Sequence, residues 1–132
     1  MKPVVEDLMQ EFKIYQLNYD FMGYTPSEND IYTYHHAIIP ARKDGAMTRE
    51  NGLILCGRSS HTYLHIIENY EHEFFKLITF EMLDMKLKGY LAPSNLKMID
   101  EILREFEDRY KDTKTHKGKP LIKTLYRDRR KF

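Results

Sequence analysis

Residues 34–65 of the chain read YHHAIIPARKDGAMTRENGLILCGRSSHTYLH and hold four of its six histidines. His35 and His36 are adjacent, whereas His61 and His65 are separated by three residues. These histidines could belong to one metal-centred site, or they could be unrelated surface residues. The fold that this stretch adopts decides between the two.

The same stretch predicts two strands followed by a helix. Residues 32–39 are rich in β-branched and aromatic side chains and stop before Pro40, which is typical of a strand. Residues 52–57 form a short apolar run between glycines, so we expect a buried strand there. Ser59 and Ser60 favour a helix start near Ser60, because serine side chains cap helix N-termini well.

Helices are predicted on both sides of this unit. Residues 3–20 are amphipathic, and one long helix is expected from Ser60 through Met85, with Gly89 as its C-terminal stop. Residues 94–110 repeat apolar side chains at helical spacing. The predicted fold is α+β. It is a single domain over residues 1–132, with a ββα core at about 32–75, helical additions at 3–20 and 94–110, and a basic tail at 111–132.

Composition restricts the class of protein. With 132 residues, of which 42% are apolar, the chain suits one domain with a sizeable core. No run of 18 apolar residues occurs and the first residues carry acids, so neither a membrane span nor a signal peptide is expected. The single cysteine, Cys56, excludes an internal disulfide and favours a reducing, cytoplasmic location.

Charge is spread unevenly along the chain. Residues 111–132 hold nine Lys or Arg and two Asp, a net charge of +7, which leaves −6 for residues 1–110 because the whole chain carries +1. Such asymmetry is typical of proteins that touch nucleic acid or an acidic partner. A solvated, frayed end is the alternative interpretation of this tail.

The histidine spacing is compatible with a metal site. His61 and His65 lie four residues apart, which places both imidazoles on one face of a helix. An antiparallel hairpin would bring the end of the first strand beside them, adding a third ligand and a free histidine. Neighbouring strand residues point to opposite faces, so His35 and His36 share a site only if the strand bends or bulges there. Thr62 excludes the His-Glu-x-x-His zinc-protease pattern, which requires a glutamate at that position.

Taken together, the order His35-His36, Pro40, Gly45, Asn51, His61 and His65 resembles the HNH endonuclease family, whose fold is called ββα-metal or His-Me finger. It is most similar to the His-rich metal sites of colicin-type nucleases. The resemblance covers little more than a third of the chain, and Asp44 stands where the family often has a glycine.

The resemblance implies a role for each matched residue. His36 would be the general base, and Asn51 would orient it by bonding across the loop. His35, His61 and His65 would hold one divalent transition metal ion, with Zn, Ni or Mn expected before Mg because the ligands are imidazoles. An asparagine beside Gly52 is also an ordinary turn former. The expected phosphate contacts are the basic residues near the site, Arg42, Lys43, Arg49 and Arg58.

The function implied is metal-dependent hydrolysis of phosphodiester bonds in nucleic acid, with DNA expected before RNA. The alternative is a catalytically inactive, HNH-derived binding module that keeps the metal as a structural clip. Such a module would act as an inhibitor or accessory protein of a phage or mobile element and would bind a protein partner or nucleic acid. The acidic body favours the module, whereas a spare histidine beside three ligands favours the enzyme, because a structural zinc site needs four closed ligands.

Overall fold

The structure is a computed structural model that describes residues 2–128. Its only sheet within that range pairs β1 (Tyr32–His36) with β2 (Gly52–Cys56) in antiparallel register, from Tyr32 opposite Cys56 to His36 opposite Gly52. Six helices surround the pair in the described part of the chain: α1 (Pro3–Glu11), α2 (Ile14–Leu17), α3 (Ser60–Tyr70), α4 (His72–Lys88), α5 (Pro93–Tyr110) and α6 (Thr124–Asp128). The predicted α+β class with two antiparallel strands is confirmed.

The hairpin is set by local chemistry at the end where the loop joins the two strands. Gly52 must be glycine, because a Cβ there would lie 2.1 Å from the ring of Tyr34. β1 ends at His36 rather than at the predicted residue 39, because the amides of Ile38 and Ile39 donate to the Asn51 side chain instead of to a strand. A 3₁₀ turn at Ala41–Lys43 then leads into the loop between the strands.

The single long helix predicted from Ser60 to Met85 is wrong, because the chain breaks at Glu71. The Glu71 backbone is not helical, with φ −141° and ψ 80°, and α4 begins at His72. The Glu71 carboxylate accepts hydrogen bonds from Arg109 (2.9 Å) and from the Tyr110 hydroxyl (2.8 Å), both on α5. The break between α3 and α4 therefore coincides with a tertiary contact, which the spacing of apolar residues along the chain does not indicate.

The helix predicted over residues 3–20 is also interrupted. α1 ends at Glu11, and Lys13 adopts a left-handed conformation with φ 56° before the short α2 begins at Ile14. The interruption leaves both Phe12 and Ile14 buried. By contrast, α5 occupies nearly the predicted range, with Pro93 in its first turn, where a missing amide is harmless.

In the described residues, the tail packs against the rest of the protein and is not a frayed end. A bridge joins Lys114 to Pro120, and Leu121 and Tyr126 are buried in the same apolar cluster as the other helices. The Tyr126 ring stacks on that of Tyr63, with centroids 4.9 Å apart. The basic residues at 129–131 lie outside the described residues. Within residues 2–128, no helix is long and apolar enough to cross a membrane.

Candidate metal centre

Three histidines from two elements converge beside the hairpin: His35 from β1, and His61 and His65 from α3. His35 Nδ1 lies 3.1 Å from His61 Nε2, and His65 Nε2 lies 3.2 Å from the same atom. One ligand nitrogen from each residue lies within 4.8 Å of the others. Nitrogens bound to one tetrahedral zinc ion lie about 3.3 Å apart, given a Zn–N bond of about 2.0–2.1 Å. The cluster can therefore hold a metal ion without large rearrangement.

The fold brings these ligands together through the short turn between β2 and α3. Antiparallel pairing places His35 opposite Leu53, and α3 begins four residues after β2 ends. The first turns of α3 therefore run beside β1, with His61 and His65 on one helical face. His35 is 4% exposed, whereas His65 is exposed. The cluster thus passes from the protein interior to the surface.

A buried carboxylate fixes this turn, and nothing in the local sequence indicated it. Asp20 is fully buried and accepts four hydrogen bonds. One oxygen binds the amides of Met22 and Tyr24, and the other binds the Cys56 amide (2.9 Å) and the Ser60 hydroxyl. Burial raises the pKa of Asp20, and the four hydrogen bonds oppose that rise. Asp20 thereby joins the N-terminal segment to the end of β2 and the start of α3.

Electrostatics favour neutral imidazoles in the cluster. Burial, and then the neighbouring histidines, lower the pKa of His35 to about 3. Burial and the nearby His65 and His36 lower the pKa of His61 to about 4. Neutral rings at pH 7 keep lone pairs available, which is the state that a metal ion requires.

The donor set fits a transition metal. Three imidazole nitrogens suit Zn, Ni or Co, whereas Mg prefers oxygen ligands that this trio does not offer. The cluster also borders a cleft of about 260 Å³, lined by His35, His36, Pro40, Ala41, Arg42, His61 and His65. Three ligands facing an open cleft leave room for further coordination, which is the arrangement of catalytic rather than structural zinc sites.

His36 shares this cleft although no bulge interrupts the ladder. The register is regular up to the pair His36–Gly52, so the expected bulge within the strand is absent. The two histidines line one cleft because the strand stops at His36 and the turn at Pro40–Arg42 completes the wall. His36 is half-buried, and its ring packs edge-on against Tyr34 with centroids 4.8 Å apart. The Tyr34 hydroxyl donates to the Thr48 carbonyl (2.7 Å), which anchors that support.

Asn51 organises the loop that follows His36. It is 6% exposed, and its Oδ1 accepts from the amides of Ile38 (3.0 Å) and Ile39 (2.7 Å). Its Nδ2 donates to the carbonyls of Ile39 (2.9 Å) and Ala46 (3.1 Å). All four hydrogen-bonding positions of the amide are thus used within the loop. Asn51 is placed to position the cleft wall rather than to contact a substrate.

A second anchor of this loop, Lys86 on α4, was not indicated by the sequence. Its half-buried ammonium donates to the carbonyls of Gly52 (2.7 Å) and Arg49. These two carbonyls stand on either side of Asn51 in the chain. α4 therefore holds the loop segment that carries Asn51, over a separation of 34 residues or more.

The four expected phosphate contacts do not gather at the cleft. Arg42 is exposed on its wall, and Lys43 is the next residue of the same turn. Arg49 instead forms an ion pair with Glu11 beside a second, more apolar cavity. Arg58 follows β2 at the Cys56 end of the hairpin, which is the end opposite to His36. Arg42 and Lys43 thus remain the candidates at the site itself.

Comparison with protein-family models, curated proteins and solved structures found no match to this chain. The interpretation of the site therefore depends on its own geometry and on the spacing of its residues. Asp20 and Lys86 act over long sequence separations, and no local signal could have identified them. Thr33 and Glu68, which face ring nitrogens of His61 and His65, were also missed.

Proposed function

We propose that this protein is a metal-dependent nuclease of the HNH type that hydrolyses phosphodiester bonds of nucleic acid. The observation that carries the proposal is the cleft in which three metal-ligand histidines lie beside a fourth histidine on the same wall. A structural metal site closes its coordination with protein ligands and needs no base nearby. A cluster that stays open beside a spare imidazole is instead suited to catalysis.

In this proposal His35, His61 and His65 hold the metal. When bound, the ion would act as a Lewis acid on a phosphate oxygen and stabilise the charge of the leaving group. Burial and the neighbouring histidines lower the pKa of His35 and of His61, which keeps these two imidazoles neutral and able to bind the ion.

His36 is the proposed general base. A neutral imidazole can take the proton of an attacking water. His36 is half-buried at the cleft, so its ring is held by Tyr34 yet stays accessible. Asn51 supports this role indirectly, because it fixes the backbone that leaves His36.

Arg42 is the proposed phosphate contact at the cleft, with Lys43 beside it. The tail adds exposed cations at Lys114, Lys117, Lys119, Lys123 and Arg127. Charges without base-reading groups act on phosphates and carry no sequence preference. DNA is the proposed substrate before RNA, following the family resemblance.

A second candidate is a binding module that uses the same metal as a structural clip. It is favoured by the net charge of −6 over residues 1–110, because an acidic surface opposes close contact with duplex phosphates. It is also favoured by exposed apolar side chains on α4, where Phe80 is 66% and Leu87 is 89% exposed. Such side chains suit a protein partner.

Cleavage assays separate the two candidates. Purified protein is incubated with plasmid DNA and with RNA in the presence of Mg²⁺, Mn²⁺, Ni²⁺ or Zn²⁺, with EDTA as the negative control. The nuclease proposal expects cleavage that EDTA abolishes and that His116→Ala, a matched substitution at an exposed histidine of the tail, leaves unchanged. No cleavage with any metal, together with tight binding of nucleic acid or of a protein, would favour the module.

A further inference from the structure

In two of the three candidate ligands, His61 and His65, the ring nitrogen that points away from the cluster lies within hydrogen-bond distance of a protein oxygen. His61 Nδ1 lies 3.2 Å from the Thr33 hydroxyl, and His65 Nδ1 lies 3.1 Å from Glu68 Oε1. In both residues Nε2 is the nitrogen that faces the cluster. Metal-binding histidines commonly depend on such outer contacts, which fix the tautomer and the ring orientation.

The tautomer of His61 follows from the partners of Thr33. The Thr33 hydroxyl donates its one hydrogen to the Leu55 carbonyl (3.1 Å), which can only accept. The same oxygen must then accept the hydrogen on His61 Nδ1. An imidazole that carries its hydrogen on Nδ1 presents the lone pair of Nε2, which here is directed into the cluster. The strand pair β1–β2 thus sets the tautomer of a residue on α3.

The tautomer of His65 follows from Glu68. The carboxylate lies one turn further along α3 and offers an acceptor to Nδ1. A hydrogen on Nδ1 again leaves the lone pair of Nε2 for the cluster. The two Nε2 lone pairs then face each other across 3.2 Å. That approach is repulsive between neutral imidazoles and becomes favourable when a cation lies between them.

His35 offers a contrast within the same cluster. It faces the other ligands through Nδ1, and its Nε2 is buried without a hydrogen-bond partner among the described residues. No hydrogen bond from the described part of the chain to the outer nitrogen, Nε2, orients this ring. The outer contacts are therefore confined to the two ligands on α3, where exposure is greater.

We propose that Thr33 and Glu68 are positioning residues that fix His61 and His65 in the Nδ1–H tautomer, so that both Nε2 atoms are presented to one metal ion. The inference rests on the metal site of the proposed function, but it does not depend on the nuclease chemistry. It assigns metal affinity to two side chains that touch neither the ion nor a substrate.

The test is a titration of the metal-free protein with Co²⁺, followed by the visible absorption bands of the bound ion. Thr33→Val keeps the shape of the side chain but removes the acceptor for His61 Nδ1, and Glu68→Ala removes the acceptor for His65. Each should weaken Co²⁺ binding by about 10- to 100-fold and alter the bands, the usual effect of losing an outer contact. Displacement of bound Co²⁺ by Zn²⁺, measured as loss of the Co²⁺ bands, should rank the variants by metal affinity in the same order.

Conservative variants separate positioning from general damage. Thr33→Ser keeps the hydroxyl and Glu68→Gln keeps an acceptor oxygen, so both should bind Co²⁺ more tightly than Thr33→Val and Glu68→Ala. Glu73→Ala, an exposed glutamate near the start of α4, is the matched control and should bind as the wild type does. Circular dichroism of the metal-free variants checks that each is folded. Glu68 is at the helix surface, so its variants provide the test even if Thr33→Val fails to fold.

The possible failures are distinct. If the wild type binds Co²⁺ and both Thr33→Val and Glu68→Ala bind it equally well, this inference is overturned while the metal site stands. If the wild type binds neither Co²⁺ nor Zn²⁺, the inference and the proposed function both fall. Weakened binding in the variants of a protein that cuts no nucleic acid would support the inference and count against the nuclease.

Discussion

The two ends of the hairpin are held by different kinds of side chain, a carboxylate at one end and an amide with an ammonium at the other. At the Cys56 end, the buried carboxylate of Asp20 accepts hydrogen bonds from the strand end and from Ser60 of α3. At the Gly52 end, the Asn51 amide and the Lys86 ammonium hold the carbonyls and amides of the loop. The first anchor fixes the start of α3, which carries His61 and His65. The second fixes the loop that forms the cleft wall beside His36.

This division separates metal binding from the proposed chemistry. Damage at the Cys56 end should displace ligands, and with them the metal. Damage at the Gly52 end should displace the cleft wall and leave the ligands in place. Substitutions at each end test whether the two anchors are as independent as their positions indicate.

The largest effect is expected for Asp20→Ala. It leaves four donors without their acceptor in a fully buried site, so the free energy of unfolding should fall by about 3 kcal/mol or more. Urea unfolding of the metal-free protein measures this, with the exposed Asp7→Ala as the control. Metal affinity should fall as well. Unchanged stability would show that Asp20 is not the anchor of the β2–α3 turn.

Asn51→Ala should disrupt the loop at the Gly52 end of the hairpin. Loss of the amide frees the backbone of Ile38 and Ile39, so cleavage should fall by up to about 10²-fold, as expected when a catalytic group is displaced by about 1 Å. Co²⁺ affinity should stay within a few-fold of the wild type. Cleavage rates and Co²⁺ titration are compared with Asn29→Ala, which changes an exposed asparagine outside the loop. Loss of the metal would mean that the two ends are coupled.

Acid should destabilise the metal-free protein through His35. Its pKa is lowered to about 3 in the folded state, mainly by burial, against about 6.5 when unfolded. Below pH 6.5 the unfolded chain therefore binds more protons, and stability falls as the pH falls. At pH 5 the cost for this one residue is about 2 kcal/mol.

Comparison of the wild type with His35→Asn isolates that effect. The free energy of unfolding is measured between pH 7 and pH 5 for both proteins. The variant should show the shallower decline, and other titrating groups such as Asp20 contribute equally to both. Parallel curves would mean that His35 is not held neutral by the fold.

The smallest effect is expected in the tail. Deletion of residues 111–132 would remove the buried Leu121 and Tyr126 from the core, so charge substitutions are the cleaner test. Lys117→Gln with Lys119→Gln should lower the slope of log affinity against log salt by up to about 2, if both lysines contact phosphates. Binding of a DNA duplex across salt concentrations measures the slope. An unchanged slope would leave the tail as a docked structural segment alone.

The order of strands and helices could be predicted because it depends on local composition. The β-branched run before Pro40, the apolar run after Gly52 and the serines before α3 each act within a few residues. The break at Glu71 could not be predicted, because the apolar spacing of Ile67, Phe74 and Ile78 continues across it. Its partners, Arg109 and Tyr110, lie almost 40 residues away.

The candidate site shows the same limit. Histidine spacing indicated His61 and His65 as ligands because residue type and helical period carry that information, whereas the family resemblance implied His35. The sequence placed Arg49 and Arg58 beside the site on proximity in the chain, but the fold carries them elsewhere. Asp20 and Lys86 have no motif of their own. Their roles arise from contacts between segments that only the folded chain brings together.

The most direct test of the central claim compares His36→Ala with His65→Ala, measuring bound metal and cleavage in the same preparations. The account predicts that His36→Ala keeps its metal while cleavage falls by about 10²- to 10⁴-fold, the usual contribution of a positioned base. His65→Ala should lose both, because two imidazoles hold an ion poorly. Release of the metal by His36→Ala, or cleavage by that variant at the wild-type rate, would contradict the account.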